Sequence, residues 1–466
     1  MRTLLIFIIT LFFFHTHAQV ALTPPMGWNS YNCYGSAVHE DEVKANADYM
    51  ADRLKQYGWQ YIVVDFLWAY DNPPGSLIGN PFQKRLDDGS YIPWLAMDEY
   101  GRLLPNTNKF PSAFGGKGFT PLSAYIHDKG LKFGIHLMRG IPRQAVWAKT
   151  PVMGAPGITA DMIADTNSVC PWMNHMYGLN MAKPGAQAYL NSLLQLYTSW
   201  GVDFLKVDDL SRPYSNEEVE GYKKAIDQCG RPIVLSLSPG ATPVAQAKHA
   251  AQYANMWRMA DDFWDNWKEI LAMMDYAKQW EHKGGPGHWP DCDMLQIGRL
   301  SKRGPVGAER YSRFTEDELY THLTFWSIYQ SPLMIGGNLP ENRSLELQLL
   351  SNEEVIAVNQ HGSYPTQLLK TDSAAVWISY STSNNDVYLA LFNLSGSPRS
   401  IPINVKAWKL DGKWKVRNCW KKEDMGLLKN QSVQQVNAHG AVLLKLSTDG
   451  RFAQQKIIPV ANANNK

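Results

Sequence analysis

The chain has 466 residues, with 45 Lys plus Arg against 43 Asp plus Glu, a formal net charge of +2, 45% hydrophobic and 19% charged residues. That balance is ordinary for a folded protein and excludes collagen, coiled coil and wholesale disorder; with no basic run, it offers no electrostatic footprint for nucleic acid. The length suits one large domain, such as an α/β barrel, plus one small one.

The first elements set the compartment. Met1-Arg2 is a short basic start, an apolar run extends from Leu4 to Phe14, and Thr16-His17-Ala18-Gln19 presents a small residue to signal peptidase. A membrane anchor needs about 20 apolar residues, more than this run supplies. The expectation is a signal peptide over residues 1–18, cleaved after Ala18, and an exported protein, periplasmic or extracellular. No Cys stands at the cleavage site to suggest a lipoprotein, and no later run is long and apolar enough to span a membrane.

From Met26 to Ile335, short apolar runs rich in β-branched residues alternate with amphipathic stretches, the pattern of repeated β-α units around a parallel sheet. A helix is expected from Glu42 to Gln56, with Val43, Ala47, Met50 and Leu54 on one face, before a strand at Tyr61–Asp65. Strands are expected again at Lys132–His136 and Phe204–Asp208, after helices at Leu122–Lys129 and Ala186–Trp200, then at Ile233–Ser236, Asn255–Arg258 and Pro332–Ile335. Several end in a polar residue, and the C-terminal ends of barrel strands are where this architecture gathers its chemistry. The stretch from Asp71 to Asn108 is too long for a simple connection and is expected to form part of a substrate rim. After His361 the texture becomes short alternating strands separated by turns such as Ser383-Asn384-Asn385-Asp386, so residues 19–360 form the large domain and 361–449 an antiparallel β domain, followed by a polar tail over 450–466.

The five cysteines, Cys33, Cys170, Cys229, Cys292 and Cys419, are odd in number and lack C-x-x-C spacing, so they are no disulfide framework. The 12 His show neither H-E-x-x-H nor a zinc pairing, and no metal or cofactor is expected. Gly115-Gly116-Lys117-Gly118 lacks the rest of a phosphate loop and reads as a surface turn. Aromatics are 12% of the chain, with 17 Trp and 22 Tyr, which suits stacking on sugar rings and core packing equally.

The chemistry centres on Lys206-Val207-Asp208. The two-residue strand period points Lys206 and Asp208 the same way, and a lysine beside a carboxylate keeps it ionised, as a nucleophile requires. Just past a later strand, Asp261 and Asp262 are both candidates for a second carboxylate held as an acid. Two such carboxylates about 5 Å apart equip a retaining glycosidase; on spacing alone a structural ion pair explains Lys206 and Asp208 as well.

The chain resembles glycoside hydrolase family 27, the α-galactosidase group. The resemblance is carried by Pro25-Met26-Gly27-Trp28-Asn29-Ser30, Asp98-Glu99-Tyr100-Gly101-Arg102-Leu103, Gly130-Leu131-Lys132-Phe133-Gly134-Ile135 and Val202 to Asp208. It continues through Trp257-Arg258 with Asp262, Gly287 to Leu295, Ser331-Pro332-Leu333-Met334, Val355 to Gln360 and the late His439 to Leu444. It implies an α/β fold, a (β/α)8 TIM barrel followed by a small C-terminal antiparallel β-sandwich domain, and cofactor-free double displacement on a carbohydrate substrate. The nucleophile pattern falls on Asp208, and the acid/base, four residues after the strand arginine, on Asp262. Sugar contacts are implied at Asp65, Lys206, Arg258 and Asp293. Trp28 is expected to pack beneath the mouth.

The departures bear on the substrate. Family α-galactosidases usually carry Asp-Asp where this chain has Asp65-Phe66, so one carboxylate on the 4- and 6-hydroxyl side is missing. Tyr31 stands where Trp is common, His136 replaces a usual Tyr, and Ser238 occupies a position that is Glu in α-galactosidases and small in members that accept a 2-acetamido group. Arg139 reads as a loop salt bridge, or with His136 as a contact for an anionic sugar. Leu210 replaces the strand-four cysteine, which removes the family's local disulfide. The implied activity is hydrolysis of terminal α-D-galactosides, with β-L-arabinopyranosides and α-N-acetylgalactosaminides as alternatives, and a sugar-binding protein without chemistry as the rival of another class.

Overall fold

The computed structural model describes residues 19–70, 83–86 and 89–448. The leader over 1–18 and the tail over 450–466 lie outside the described residues, as do 71–82 and 87–88 of the Asp71–Asn108 insertion.

Eight parallel strands form the first domain: β1 Met26–Asn29, β2 Tyr61–Val64, β3 Lys132–Met138, β4 Phe204–Asp208, β5 Val234–Leu237, β6 Met256–Arg258, β7 Trp289–Asp291 and β8 Leu333–Ile335. They pair in the order β7-β6-β5-β4-β3-β2-β1-β8, and a parallel bridge from Leu295, just past β7, to Ile335 closes the barrel. Helices α1 Glu40–Tyr49, α2 Thr120–Asp128, α3 Ala186–Ser199, α4 Asn216–Gln228, α5 Ala247–Tyr253, α6 Trp267–Gln279 and α7 Glu316–Tyr329 fill the seven connections, and α8 Glu353–His361 follows β8.

The strand period of two sorts every barrel strand into a helix-facing and an inward-facing set. Ile62, Val64, Leu205, Val207, Leu235, Leu237 and Trp257 join the large core shared with the helices, whereas Tyr61, Val63, Phe204, Val234, Met256, Trp289 and Met334 form a separate cluster inside the barrel. Continuing the inward parity towards the strand ends reaches Asp65, Lys206 and Asp208, Ser238, and Arg258. The barrel is thus plugged by apolar side chains below and lined by polar ones above. Close strand packing demands glycine at Gly27, where a Cβ would lie 2.5 Å from the Tyr61 carbonyl oxygen.

Two expectations change, and the one for Trp28 holds. β1 and β7 are strands that apolar runs did not reveal, because one contains Gly27 and the other Pro290 within three or four residues. The first helix begins at Glu40 and leaves α geometry at Met50, passing through a π turn at Met50–Leu54 and a 3-10 turn at Lys55–Tyr57. Trp28 is fully buried and its Nε1 donates to the Gly337 carbonyl at 2.8 Å, so it is a packing residue.

The C-terminal domain is a six-stranded antiparallel sheet of β9 Thr366–Lys370, β10 Ala374–Tyr380, β11 Val387–Asn393, β13 Lys415–Asn418, β14 Glu423–Leu427 and β16 Ala441–Ser447, with a smaller pair, β12 Arg399–Pro402 and β15 Val433–Val436. Its two faces serve different cores. Val376, Ile378, Leu389, Leu391, Leu444 and Leu446 pack with Ile401 and Val436 of the small pair, while Ala375, Trp377, Ala390, Phe392 and Leu443 join the barrel core. All five cysteines are free, including Cys170.

Candidate active site

A cleft of about 330 Å³ opens at the C-terminal ends of the strands, with Tyr31, Asp65, Phe66, Lys206, Asp208 and Asp262 among its lining residues. At its floor, Asp65 Oδ2 accepts from Lys206 Nζ at 2.9 Å and Asn29 Nδ2 at 2.7 Å, and its Oδ1 accepts from the Phe66 amide at 2.8 Å. Burial alone would raise the Asp65 pKa; the Lys206 ammonium, with His136 and the two donors, instead holds it well below the usual carboxylate range. Lys206 is likewise held protonated: burial opposes its charge, but Asp65, Asp208 and Asp293 raise its pKa.

Asp208 closes β4. Its Oδ2 lies 2.8 Å from His136 Nε2, at an angle that makes no hydrogen bond, and its Oδ1 has no partner among the described residues. Its carbonyl accepts from the Arg139 amide at 3.1 Å. Asp209, next in the chain, has φ of 63° and is held by Arg139, whose guanidinium reaches its carboxylate at 3.1 Å, its carbonyl at 2.6 Å and Glu218 at 2.9 Å. With its charge taken up by two buried carboxylates of the protein, Arg139 is a structural ion pair and offers nothing to an anionic sugar, with or without His136.

The two acid candidates separate. Both line the cleft, but Asp261 is tied up in an exposed ion pair with Arg212 at 2.5 Å, whereas Asp262 reaches the buried Arg258 Nη1 at 3.3 Å. Burial raises the Asp262 pKa, and the neighbouring charges of Asp293 and Asp208 add to that against the opposing pull of Arg258 and Lys206. A carboxylic acid retained near a second carboxylate is the arrangement that acid/base catalysis uses.

Of the residues expected at the sugar, Asp65, Tyr31, Lys206, Ser238, Asp208 and Asp262 line the cleft; His136, Arg258 and Asp293 stand behind its wall. Asp293 is buried, with φ of 73°, and supports Arg258 Nη1 at 2.8 Å while accepting from the Phe263 amide. The Ser238 hydroxyl and Arg258 Nη2 have no partner among the described residues. Trp172 and Arg212 also line the cleft and were not legible from the sequence, because neither sits on a periodic element. The described part of the Asp71–Asn108 insertion does not line it; the rim aromatic comes from the next insertion, between β3 and α3. Among the described residues no cluster of three or more His, Cys, Asp or Glu side chains is arranged to hold a metal ion.

Comparison with known proteins gives the family. A crystal structure of a family 27 β-L-arabinopyranosidase from Geobacillus stearothermophilus superposes with a TM-score of 0.87 at 48% identity, covering 93% of this chain and 98% of that one. The chain belongs to glycoside hydrolase family 27. A variant of the Geobacillus enzyme in complex with arabinose matches at 49% identity and the same TM-score, covering 93% of this chain and 99% of that one. The family models for α-galactosidase A and for the α-galactosidase C-terminal β-sandwich domain match residues 178–361 and 371–446 of this family 27 hydrolase. An α-galactosidase from Cyamopsis tetragonoloba is 27% identical over 432 residues, 91% of this chain and 86% of its own.

Proposed function

We propose that this family 27 hydrolase is an exported, retaining exo-glycosidase that prefers terminal β-L-arabinopyranosides and takes α-D-galactosides more slowly. Phe66 carries the substrate reading. Where α-galactosidases of the family have a second carboxylate for the 4- and 6-hydroxyl side, this buried ring packs edge-on against Tyr31 at 6.1 Å and His136 at 5.4 Å. β-L-Arabinopyranose matches galactose without its C6 arm, so an apolar wall beside Asp65 suits it and leaves a 6-hydroxyl without a partner. The likeness to the Geobacillus arabinopyranosidase supports the same choice; the α-galactosidase relatives support galactosides as the second substrate. Export rests on the leader-like residues 1–18.

In this reading the Asp208 carboxylate attacks the anomeric carbon while Asp262 gives its proton to the departing oxygen. A covalent glycosyl ester on Asp208 results. Asp262, now a carboxylate, takes a proton from water as the water oxygen bonds to the anomeric carbon and Asp208 departs ionised, which restores both groups with retention.

The test is kcat/KM on matched nitrophenyl β-L-arabinopyranoside, α-D-galactoside and α-N-acetylgalactosaminide, with Asp208→Ala as the blank. The arabinopyranoside should lead, and Phe66→Asp should move the ratio towards the galactoside by about 10-fold or more, as expected when a hydroxyl gains a partner. A wild-type preference for galactoside would overturn the substrate assignment, and full activity of Asp208→Ala the nucleophile.

A further inference from the structure

Above the buried floor, the cleft widens into a mouth that the sugar-ring contacts do not use. On one side stands Trp172, brought in by the insertion between β3 and α3 and 46% exposed. Its ring leans on Phe66 at 5.9 Å with an interplanar angle of 45°, so one edge is anchored and the rest faces the opening. Across from it, Arg212 follows β4 and Asp261 follows β6, and they pair at 2.5 Å with both side chains more than half exposed. Phe66 follows β2, Arg212 β4 and Asp261 β6, so the indole held by Phe66 and the ion pair stand on different sides of one opening.

We propose that this mouth is the subsite for the leaving group and that it takes a neutral pyranose laid against the indole of Trp172. The inference rests on the glycosidase reading above and adds to it the chemistry of the departing partner. An indole fixed at one edge loses little freedom on binding and presents a flat apolar face to the C–H side of a sugar ring. Arg212 and Asp261 cancel each other's charge, leaving N–H donors and carboxylate acceptors for hydroxyl groups and no net attraction for an ion. Gly240 borders that pair, where a Cβ would lie 3.2 Å from Arg212 Nε.

The experiment compares two substrates with one glycon: β-L-arabinopyranosyl fluoride, whose leaving group is too small to reach Trp172, and a disaccharide in which the same glycon is linked to glucose. In Trp172→Ala, kcat/KM on the disaccharide should fall by about tenfold or more, while the fluoride rate stays within about twofold. Trp172→Phe should recover part of the loss, and replacing glucose by glucuronate should slow the wild-type enzyme. An equal fall on both substrates would mean that Trp172 acts through Phe66 on the glycon pocket, and no fall on either would remove it from the subsite; both overturn the proposal. Equal wild-type rates on glucose- and glucuronate-linked substrates would overturn the neutral specificity. A wild type that cleaves neither substrate would sink the arabinopyranosidase reading and the subsite with it, an outcome distinct from any seen only in the variants.

Discussion

His136 shows how one side chain changes meaning between chain and fold. Its neighbour in β3, Gly134, faces β4 at Phe204, and the same parallel register sets His136 beside Lys206. The imidazole therefore stands behind the cleft wall, against Asp208 Oδ2, with its backbone carbonyl held by Trp68 Nε1 at 2.6 Å. In the proposed mechanism it would act through Asp208. His136→Phe would replace the polar group nearest Asp208, 2.8 Å from its Oδ2, by an apolar ring, so it should lower kcat by about 10-fold or more with little change in KM. His136→Tyr, which restores the family's usual residue, should retain most of the rate. Unchanged kcat in His136→Phe would show that Asp208 is oriented by the backbone alone.

Helix α7 is one of the elements on which the two domains meet. A capping box at Thr315 and Glu318 starts it, and nearly every side chain from Leu319 to Tyr329 is buried, so it shows no exposed face. One side supports the site, through Trp326 Nε1 donating to the Asp293 carbonyl at 2.7 Å. The other meets the β-domain, where Phe325 and Tyr329 pack edge-on to Trp377 at 5.6 Å and 5.8 Å. Trp377→Ala should cost about 3–5 kcal/mol, the range for emptying a large aromatic site. Because the sheet's inner face belongs to the barrel core, calorimetry should show one unfolding transition shifted as a whole; two separate transitions would show that the domains are energetically independent.

At the scale of the molecule, buried acids set how stability follows pH. Burial pushes Glu218 up to about 7 from 4.5 despite Arg139, which it shares with Asp209, and burial likewise pushes Asp291 up to about 7 from 3.8. Between their ordinary values and about 7, the folded protein holds protons that the unfolded chain has released, so stability falls as pH rises through that window and levels off above it. Asp65 acts in the opposite sense, but its depressed pKa confines the loss of its contribution to stronger acid. Melting temperature should therefore decline from about pH 5 to 7, and Glu218→Gln should flatten part of that decline. A pH-independent difference between variant and wild type would show that Glu218 keeps its charge throughout.

The chain by itself specified the alternation of strands and helices, the change to β texture after His361, and the polar residues that end the strands, because these follow from hydrophobic period and local propensity. The motif around Lys206-Val207-Asp208 was legible for the same reason: a two-residue period places both side chains on one face. Both Asp261 and Asp262 line the cleft, and only the closed barrel showed which partner each one takes. Asp261 and Asp262 are chain neighbours, and what separates them is that Asp262 takes the local partner Arg258, four residues before it, while Asp261 takes Arg212 from the segment after β4. The same is true of Trp172, Arg139 and Asp293. Their roles depend on contacts between segments far apart in the chain, and no local pattern encodes such contacts.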